Sequence, residues 1–358
     1  MRSVLALVFL SVARLGWSQS AVVAPSCPHP SNPVCYTSVQ AAVSALEAGF
    51  PNAFRDITIQ PGLYDGTVTL SLQTGSTRIS GVGPVGIFGN YSAVRLRAPD
   101  DNVAKPVVDW RGPGVLANLD IMVRRIGADG GDVGDVGLRI QGSVLGELTV
   151  RDVNVTGYLP PNGRGIENIR QTGFVEFRNV NAIMACADAN ASSAVYYENT
   201  AFFHWTETVW EGGWLSLYTS NCPAGAALVE MPQSSLGDDI HGTVLRDLTL
   251  ECKPSTTCIE MSSNLSHLTL VRPYLRGPVG QFVNVTGTGM GGNLRLESVE
   301  SAHEMTASVW GSLVPTGTYH IVGGTLPTPC FAGWLLTNDV TGDNYQCING
   351  SWKPVGQQ

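Results

Sequence analysis

The sequence predicts an all-β protein, a right-handed parallel β-helix (a solenoid) of about 25 residues per coil. Three observations support this fold class. Short segments of alternating apolar and polar residues recur along the chain, Gly, Asn and Pro turns separate them, and the cysteines lie close to one another in sequence. Such segments predict stacked coils, because one coil buries its inward face only when the next coil covers it.

The recurring segments form two interleaved sets. The first set starts at intervals of about 25 residues, with a gap of about two periods between 180 and 243. Its members are 146–153, 173–180, 243–248, 266–270, 292–297 and 317–321. The second set lies between them, at 137–140, 165–169, 194–197, 227–230, 258–261 and 281–285. Neither set has the 3.6-residue period of a helical repeat. A propeller fits less well, because each of its blades needs four strands in about 40 residues.

A column of short polar residues follows equivalent strand positions in several repeats. Short Asx side chains bond to turn backbone and tolerate left-handed conformations. The sequence therefore predicts a structural ladder of stacked turns. Its members are Asp152, Asn179, Asn199 and Asp247.

Residues 36–49 are the one credible helix, and we expect it to cap the N-terminal end of the solenoid. Thr37 or Ser38 can serve as its N-cap. A cap is needed because the open edge of a stack of strands invites aggregation. The apolar stripe of this helix consists of Val39, Ala42, Val43 and Leu46.

The first 20 residues are typical of a secretory signal peptide. A basic start precedes an apolar run over 4–17, and Ser18 and Ser20 provide small residues for cleavage. The run is too short and interrupted to span a bilayer, and no later stretch approaches a membrane span. We therefore expect a secreted protein, with a β-helix domain over 21–324 and a small disulfide-closed tail over 325–358.

All eight cysteines follow the predicted signal peptide, and an even number in an exported chain indicates disulfides. No Cys-x-x-Cys pair occurs, which disfavours a zinc site. Pairing of sequence neighbours is the simplest arrangement. It gives Cys27–Cys35, Cys186–Cys222, Cys252–Cys258 and Cys330–Cys347.

The charge balance argues against nucleic acid as a partner. The net charge is −8, only 14% of residues are charged, and Lys and Arg form no cluster. Calcium is the one cofactor left open, because Asp129, Asp132 and Asp135 lie three residues apart among glycines. A solvated loop is the alternative for that segment. The sequence predicts no oligomeric state.

Four segments near the N-terminus resemble the opening of pectate-lyase-like and pectinesterase-like β-helix proteins. They are the helix at 36–46, the Ile-Gln-Pro-Gly-Leu-Tyr turn at 59–64, the short strand at 68–70 and the Ile-Ser-Gly-Val-Gly turn at 79–83. The segment 204–207 resembles β-helix proteins of exported bacterial and phage-tail types, and the tail resembles a disulfide element of exported bacterial proteins. The resemblance implies the pectate-lyase-like superfamily and a polysaccharide or surface glycan as partner.

The pectinolytic motifs themselves are incomplete. Asp238 and Asp239 resemble the paired aspartates of polygalacturonases, but His241 follows too closely. Arg272 lies in surroundings that only partly resemble those of the pectate-lyase base, since Pro273 follows directly. The Gln-Asp, Asp-Phe and Gly-Arg-Pro-Trp segments of pectinesterases are absent.

The segment 202–214 concentrates three Trp and two Glu, and aromatic rings with carboxylates are typical of sugar sites. We predict Glu207 as acid/base, supported by His204 and by the Asp238–Asp239 pair. Core packing of the aromatics is the alternative. The predicted substrate-binding residues are Trp205, Trp210, Trp214 and Arg272.

Together these features predict a secreted carbohydrate-active protein, either a polysaccharide lyase or a glycoside hydrolase. The alternative is a non-catalytic glycan-binding or adhesion protein that uses the β-helix as a scaffold. A scarcity of recognisable acid/base sets favours the alternative, and the segment 202–214 favours the enzyme.

Overall fold

The protein is a parallel β-helix, as the sequence predicts. Its parallel strands stack coil upon coil in two long sheets, and a small third sheet follows near the C-terminus. The computed structural model describes residues 19–27, 35–71, 75–86, 92–98, 105–123, 136–141, 146–159, 163–169, 173–186, 193–198, 206–217, 222, 226–231, 240–254, 256–262, 266–276, 280–286, 293–297, 299–302, 311–312, 318–321, 330, 335–338 and 342–355.

The larger sheet bends sharply at a turn in each coil, so it has a first arm before the bend and a second arm after it. The first arm contains Gln19–Val23, Cys35–Tyr36, Arg55–Ile59, Thr77–Gly81, Gly173–Arg178, Thr206–Glu211, Ile240–Arg246, Ser266–Val271 and Asn293–Glu297. Two strands, Gly114–Met122 and Glu147–Leu159, continue through the bend. The second arm contains Gly62–Asp65, Val94–Arg97, Asn181–Cys186, Trp214–Leu217, Thr249–Glu251, Tyr274–Leu275 and Glu300–Ser301.

A nine-stranded parallel sheet closes the other side of the coil. Its strands are Val68–Thr69, Pro106–Trp110, Val136–Gln141, Arg164–Ile169, Val195–Glu198, Ala227–Met231, Thr257–Ser262, Gln281–Thr286 and Gly311–Ser312. A four-stranded sheet follows, made of Thr318–Ile321, Leu335–Asn338, Asp343–Ile348 and Ser351–Pro354. In the part of the chain that the structure describes, no helix is long and apolar enough to cross a membrane.

The core is a column of apolar side chains that runs along the axis. Ile57, Ile79 and Leu116 occupy the same register position on successive strands and are fully buried or nearly so. Alternation along each strand places the polar residues between them on the outer surface. The coils differ in length, since Arg55 pairs with Thr77 and Thr77 with Gly114.

The predicted ladder of turn residues forms at the bend. Asp152, Asn179 and Asp247 all adopt left-handed backbone conformations, and Asn179 Nδ2 donates to Asp152 Oδ1 at 2.8 Å across an offset of 27 residues. Asn199, which is also predicted to belong to this ladder, lies outside the residues that the structure describes. The full ladder in the described residues is Asn118, Asp152, Asn179, Gly212, Asp247 and Arg272.

The N-terminal helix spans Val39–Gly49, and Ser38 is its N-cap, accepting a hydrogen bond from the backbone N–H of Ala41. Its buried face consists of the four residues of the predicted apolar stripe. The helix packs against Gln19–Val23 and Arg55–Ile59, which are adjacent strands at the N-terminal end of the larger sheet. It therefore covers the N-terminal end of the apolar column, as predicted.

All four disulfides join sequence neighbours, as predicted. They are Cys27–Cys35, Cys186–Cys222, Cys252–Cys258 and Cys330–Cys347. A solenoid makes this pairing natural, because residues within one coil or in adjacent coils remain close in space.

Two details of the predicted repeat are wrong. The gap between 180 and 243 contains a coil, since Thr206–Glu211 pairs with strands on both sides of it in the first arm. The segment 317–321 does not extend the long sheets; Thr318–Ile321 pairs with Leu335–Asn338 in the small C-terminal sheet. Strand alternation alone does not reveal which sheet a strand joins.

Candidate functional site

The outward face of the nine-stranded sheet carries a row of polar side chains. In several strands a polar residue lies between two buried neighbours, as Glu230 does between Val229 and Met231. Parallel register aligns these residues from strand to strand at a spacing of about 4.8 Å. We call this set the polar row, and its described side chains are Asp109, Arg139, Glu167, Glu230, Glu260 and Asn284. Tyr196 takes the register position between Glu167 and Glu230.

The first carboxylate of the polar row is saturated with hydrogen bonds. Gln141 Nε2 donates to both carboxylate oxygens of Asp109, at 2.8 and 2.9 Å. The guanidinium of Arg111 donates to Asp109 Oδ2 at 2.6 Å. Because its charge is paired and its oxygens are occupied, Asp109 is suited to holding this part of the sheet surface in place.

The second carboxylate of the row is also neutralised. Arg164 Nη1 donates to Glu167 Oε1 at 2.6 Å, and Arg139, its neighbour in the row, donates to Oε2. Two guanidinium groups thus flank one carboxylate that is 4% exposed. Its oxygens are therefore occupied by hydrogen bonds from these two side chains.

The other end of the row carries two adjacent carboxylates. Glu230 and Glu260 are direct partners on neighbouring strands, and both are half-buried. Among the described residues, no Lys or Arg forms an ion pair with either of them. Burial, and secondly the charge of Glu230, raises the pKa of Glu260 above its usual range. This end of the row therefore holds a carboxyl that takes up a proton more readily than an ordinary glutamate, directly beside a second carboxyl.

The structure corrects the prediction that Trp210 binds substrate. Trp210 is fully buried, and its ring stacks on Phe177 with centroids 4.3 Å apart. Trp210 lies on the inward side because it takes the same register position as Phe177. Trp210 therefore packs in the core, which is the alternative given above for the aromatic residues of the segment 202–214.

Trp214 lies on the second arm of the larger sheet, away from the polar row. Its indole is half-buried, and the guanidinium of Arg276 lies 4.7 Å from the ring centroid. Its backbone N–H donates to Asn181 Oδ1 at 2.8 Å. The predicted role of Trp214 in substrate binding remains a prediction.

Arg272 occupies a turn position at the bend. Its backbone is left-handed, with φ of 48°, and its Nε and Nη2 donate to the two carboxylate oxygens of Asp247, each at 2.7 Å. These hydrogen bonds and the charge of Asp247 raise the pKa of Arg272. A guanidinium held in this way is a poor proton acceptor, which argues against a role as the base of a lyase.

The remaining predicted site residues lie outside the described side chains. His204, Trp205, Asp238 and Asp239 fall in segments that the structure does not describe, and Glu207 is described only by its backbone, which pairs with Phe174. Their predicted catalytic and binding roles stay predictions. In sequence, the first two follow Val195–Glu198 and the aspartates follow Ala227–Met231, which are strands of the nine-stranded sheet.

A metal site is not formed by the side chains that the structure describes, among which no three His, Cys, Asp or Glu gather closely enough to hold an ion. The aspartates for which calcium was considered, Asp129, Asp132 and Asp135, lie outside the described residues.

The sequence contained a signal for the polar row. Several segments of the second repeat set have one polar residue between two apolar ones, as in Leu138-Arg139-Ile140 and Ile259-Glu260-Met261. The period-2 pattern shows that these residues point outward. Their alignment into one row depends on register between coils of unequal length, which the structure supplies.

Sequence comparison finds no protein-family model that matches the chain and no curated protein similar to it. Solved structures share its fold. The YbhC protein of Escherichia coli superposes with a TM-score of 0.55 at 13% identity, covering 80% of this chain and 86% of that one. The pectin methylesterase PemA from Erwinia chrysanthemi gives 0.51 at 11% identity, covering 83% of this chain and 94% of that one.

A third solved structure is a pectin methylesterase in complex with a hexasaccharide. It also gives a TM-score of 0.51 at 11% identity, with the alignment covering 83% of this chain and 94% of that chain. At this level of identity the similarity establishes the architecture, a parallel β-helix. Function has to be argued from the site.

Proposed function

We propose that this chain is an exported carbohydrate-active enzyme that hydrolyses a polysaccharide bound along the polar row, with Glu230 and Glu260 as its carboxyl pair. The observation that carries this proposal is the adjacency of two half-buried carboxylates on neighbouring strands, with the pKa of Glu260 raised. Four disulfides support export, because they persist in oxidising compartments.

The proposed chemistry assigns a different role to each carboxyl, with the raised pKa of Glu260 suiting it to act as the acid. Glu260 gives its proton to the departing glycosidic oxygen, and an oxygen of Glu230 bonds to the anomeric carbon as the glycosidic bond breaks. Water then displaces Glu230 and returns a proton to Glu260. Carboxyl groups about 5 Å apart favour this two-step route with retention, and strands about 4.8 Å apart place their side chains at that range.

Polysaccharide as the substrate class is supported by the shape of the surface and by the structural neighbours. The polar row extends along the sheet across successive coils, so it offers contacts to several sugar units. Two of the neighbours are pectin methylesterases, one with a hexasaccharide bound. The carboxylate of Glu230, with which no described Lys or Arg forms an ion pair, favours a neutral or esterified chain over a polyuronate, because like charges repel.

Hydrolysis is favoured over β-elimination, because the arginines that could act as the base of a lyase are bonded to carboxylates. A lyase requires a base beside the substrate. Arg272 is bonded to Asp247 at the bend, and Arg139 and Arg164 are bonded to Glu167. The carboxyl pair is therefore the better candidate for proton transfer.

The test uses the full exported chain with neutral and pectic polysaccharides, following new reducing ends, unsaturated uronates and released methanol. We expect new reducing ends with at least one polysaccharide, and a loss of about 100-fold or more in turnover for Glu230→Gln and Glu260→Gln. Glu300→Gln, an exposed glutamate on the second arm, is the matched control and should act like the wild type.

Several outcomes overturn the proposal. Unchanged turnover in Glu230→Gln or Glu260→Gln would show that the carboxyl pair does not carry out the reaction. Unsaturated products indicate a lyase, methanol without chain shortening indicates an esterase, and binding without any product indicates a non-catalytic glycan-binding protein. Glu207→Gln is measured in the same series. If Glu207→Gln is inactive while Glu260→Gln remains active, the catalytic site lies in the segment 202–214. Thermal unfolding of each variant separates loss of chemistry from loss of fold.

A further inference from the structure

A polar cleft of about 370 Å³ lies at the bend of the larger sheet, apart from the polar row of the nine-stranded sheet. One wall is the segment that leaves the strand Thr77–Gly81, and the other is the ladder of turns. The lining residues are Gly83, Pro84, Val85, Asn118, Asp152, Asn154, Asn179 and Asn181. The volume is in the range of small-molecule sites.

The walls of this cleft are held by hydrogen bonds. Asn181 Nδ2 donates to Asn154 Oδ1 at 2.7 Å, and Asn154 Nδ2 donates to the carbonyl oxygen of Gly86, which fixes the segment that follows Val85. Both amides are buried. The cleft is therefore formed before any ligand arrives, which lowers the entropic cost of binding.

Hydrogen-bonding groups remain open on the ladder side. Asn179 Nδ2 donates to Asp152 Oδ1, and within the described residues no further side-chain bond engages Asn179 Oδ1 or Asp152 Oδ2. The side-chain amide of Asn118 makes no hydrogen bond to another described residue. Left-handed backbone at φ of 57°, 51° and 51° places these three short side chains on successive coils of the bend.

The composition of the lining defines the ligand class. It contains four amides, one carboxylate and no Lys or Arg, so it disfavours an anion. One carboxylate is few for calcium, which takes six to eight oxygen ligands and usually several carboxylates. Pro84 and Val85 add an apolar patch opposite the amides. A hydroxylated ring with an apolar face suits this combination.

We propose that this cleft binds a neutral sugar unit of a glycan, through the amides of Asn118 and Asn179 and the carboxylate of Asp152. The site is separate from the carboxyl pair, so the inference does not rest on the proposed hydrolysis. It gives the protein a second point of attachment to a glycan chain, at a different corner of the coil.

The test measures binding of cellohexaose, xylohexaose, mannohexaose and hexagalacturonate to the full chain by calorimetry. We expect at least one neutral hexaose to bind, and Asn118→Gly and Asn179→Gly each to weaken it by about tenfold. Glycine removes the amide and retains the left-handed backbone. Asp247→Gly is the matched control, since it changes the same ladder outside the cleft and should leave binding unchanged.

Hydrogen exchange of the wild type with the bound hexaose locates the site without any variant. We expect protection at 83–86, 117–119, 152–155 and 179–182. The inference is overturned if no neutral hexaose binds, if hexagalacturonate binds more tightly, if binding requires calcium, or if Asn118→Gly and Asn179→Gly bind normally. Loss of binding in Glu260→Gln with normal binding in the cleft variants also overturns it, because the sugar then lies on the polar row.

Discussion

Glu230 and Glu260 are register partners on adjacent strands of the nine-stranded sheet, and the pKa of Glu260 is raised by burial and by the charge of Glu230. Burial is the larger of the two causes. The two contributions are separable by experiment, because substitution of one partner removes only the charge.

Glu230→Gln is expected to lower the pKa of Glu260 while leaving it above its usual value. The neighbouring charge disappears, and the burial of Glu260 remains. Carbon-13 NMR titration of selectively labelled glutamate carboxyls measures this directly. Glu300→Gln is the control and should leave the titration of Glu260 unchanged. An identical titration of Glu260 in Glu230→Gln would show that the two carboxylates do not interact.

Asp120→Asn is expected to change how stability depends on pH. Asp120 is fully buried, accepts a hydrogen bond from Thr156 at 3.1 Å, and its Oδ2 has no partner among the described residues. Burial raises the pKa of Asp120 from 3.8 to about 7. The folded state then holds the proton more tightly than the unfolded state, so this group's stabilisation is complete below pH 4 and is lost as the pH rises through 7.

The measurement for Asp120 is urea unfolding of both proteins at pH 4 and pH 8. The free energy of unfolding of the wild type, relative to the variant, should fall by an amount on the order of 4 kcal/mol between these values. Comparison with the variant cancels the contributions of other carboxylates. Parallel pH profiles for the two proteins would contradict the assignment of a raised pKa to Asp120.

Trp210→Ala and Trp214→Ala are expected to differ in stability. Trp210 is fully buried against Phe177, so its loss should cost about 3–5 kcal/mol of unfolding free energy. Trp214 is half-buried under Arg276, so its loss should cost roughly 1–2 kcal/mol. Denaturant unfolding of the two variants gives the comparison. A greater loss of unfolding free energy in Trp214→Ala than in Trp210→Ala would contradict the placement of Trp210 in the core.

Removal of two disulfides is expected to destabilise the protein unequally. Cys186 and Cys222 are separated by 36 residues and Cys252 and Cys258 by 6, so loop entropy predicts losses of about 4 and about 2 kcal/mol. Paired Cys→Ser substitutions followed by denaturant unfolding test this order. An equal or reversed loss would show that strain or structure in the unfolded chain outweighs loop length.

Local patterns in the sequence predicted the elements whose formation depends on their own residues. The helix, its N-cap Ser38 and its four buried residues follow from capping and the apolar stripe. The left-handed turns at Asp152, Asn179 and Asp247 follow from the short side chains of those residues. The strand at Thr206–Glu211 does not follow from the repeat pattern, because its Trp- and Glu-rich composition suits a sugar site and the core packing of a coil equally well.

The sequence alone determined the solenoid and its disulfides, because a repeat of short alternating strands stacks in only a few ways and keeps neighbouring cysteines together. Only the tertiary structure decided which polar residues meet. Glu230 and Glu260, or Asp152 and Asn179, become neighbours through register between coils of unequal length. That register is set by the inward packing of side chains such as Phe177 and Trp210, which no local pattern records.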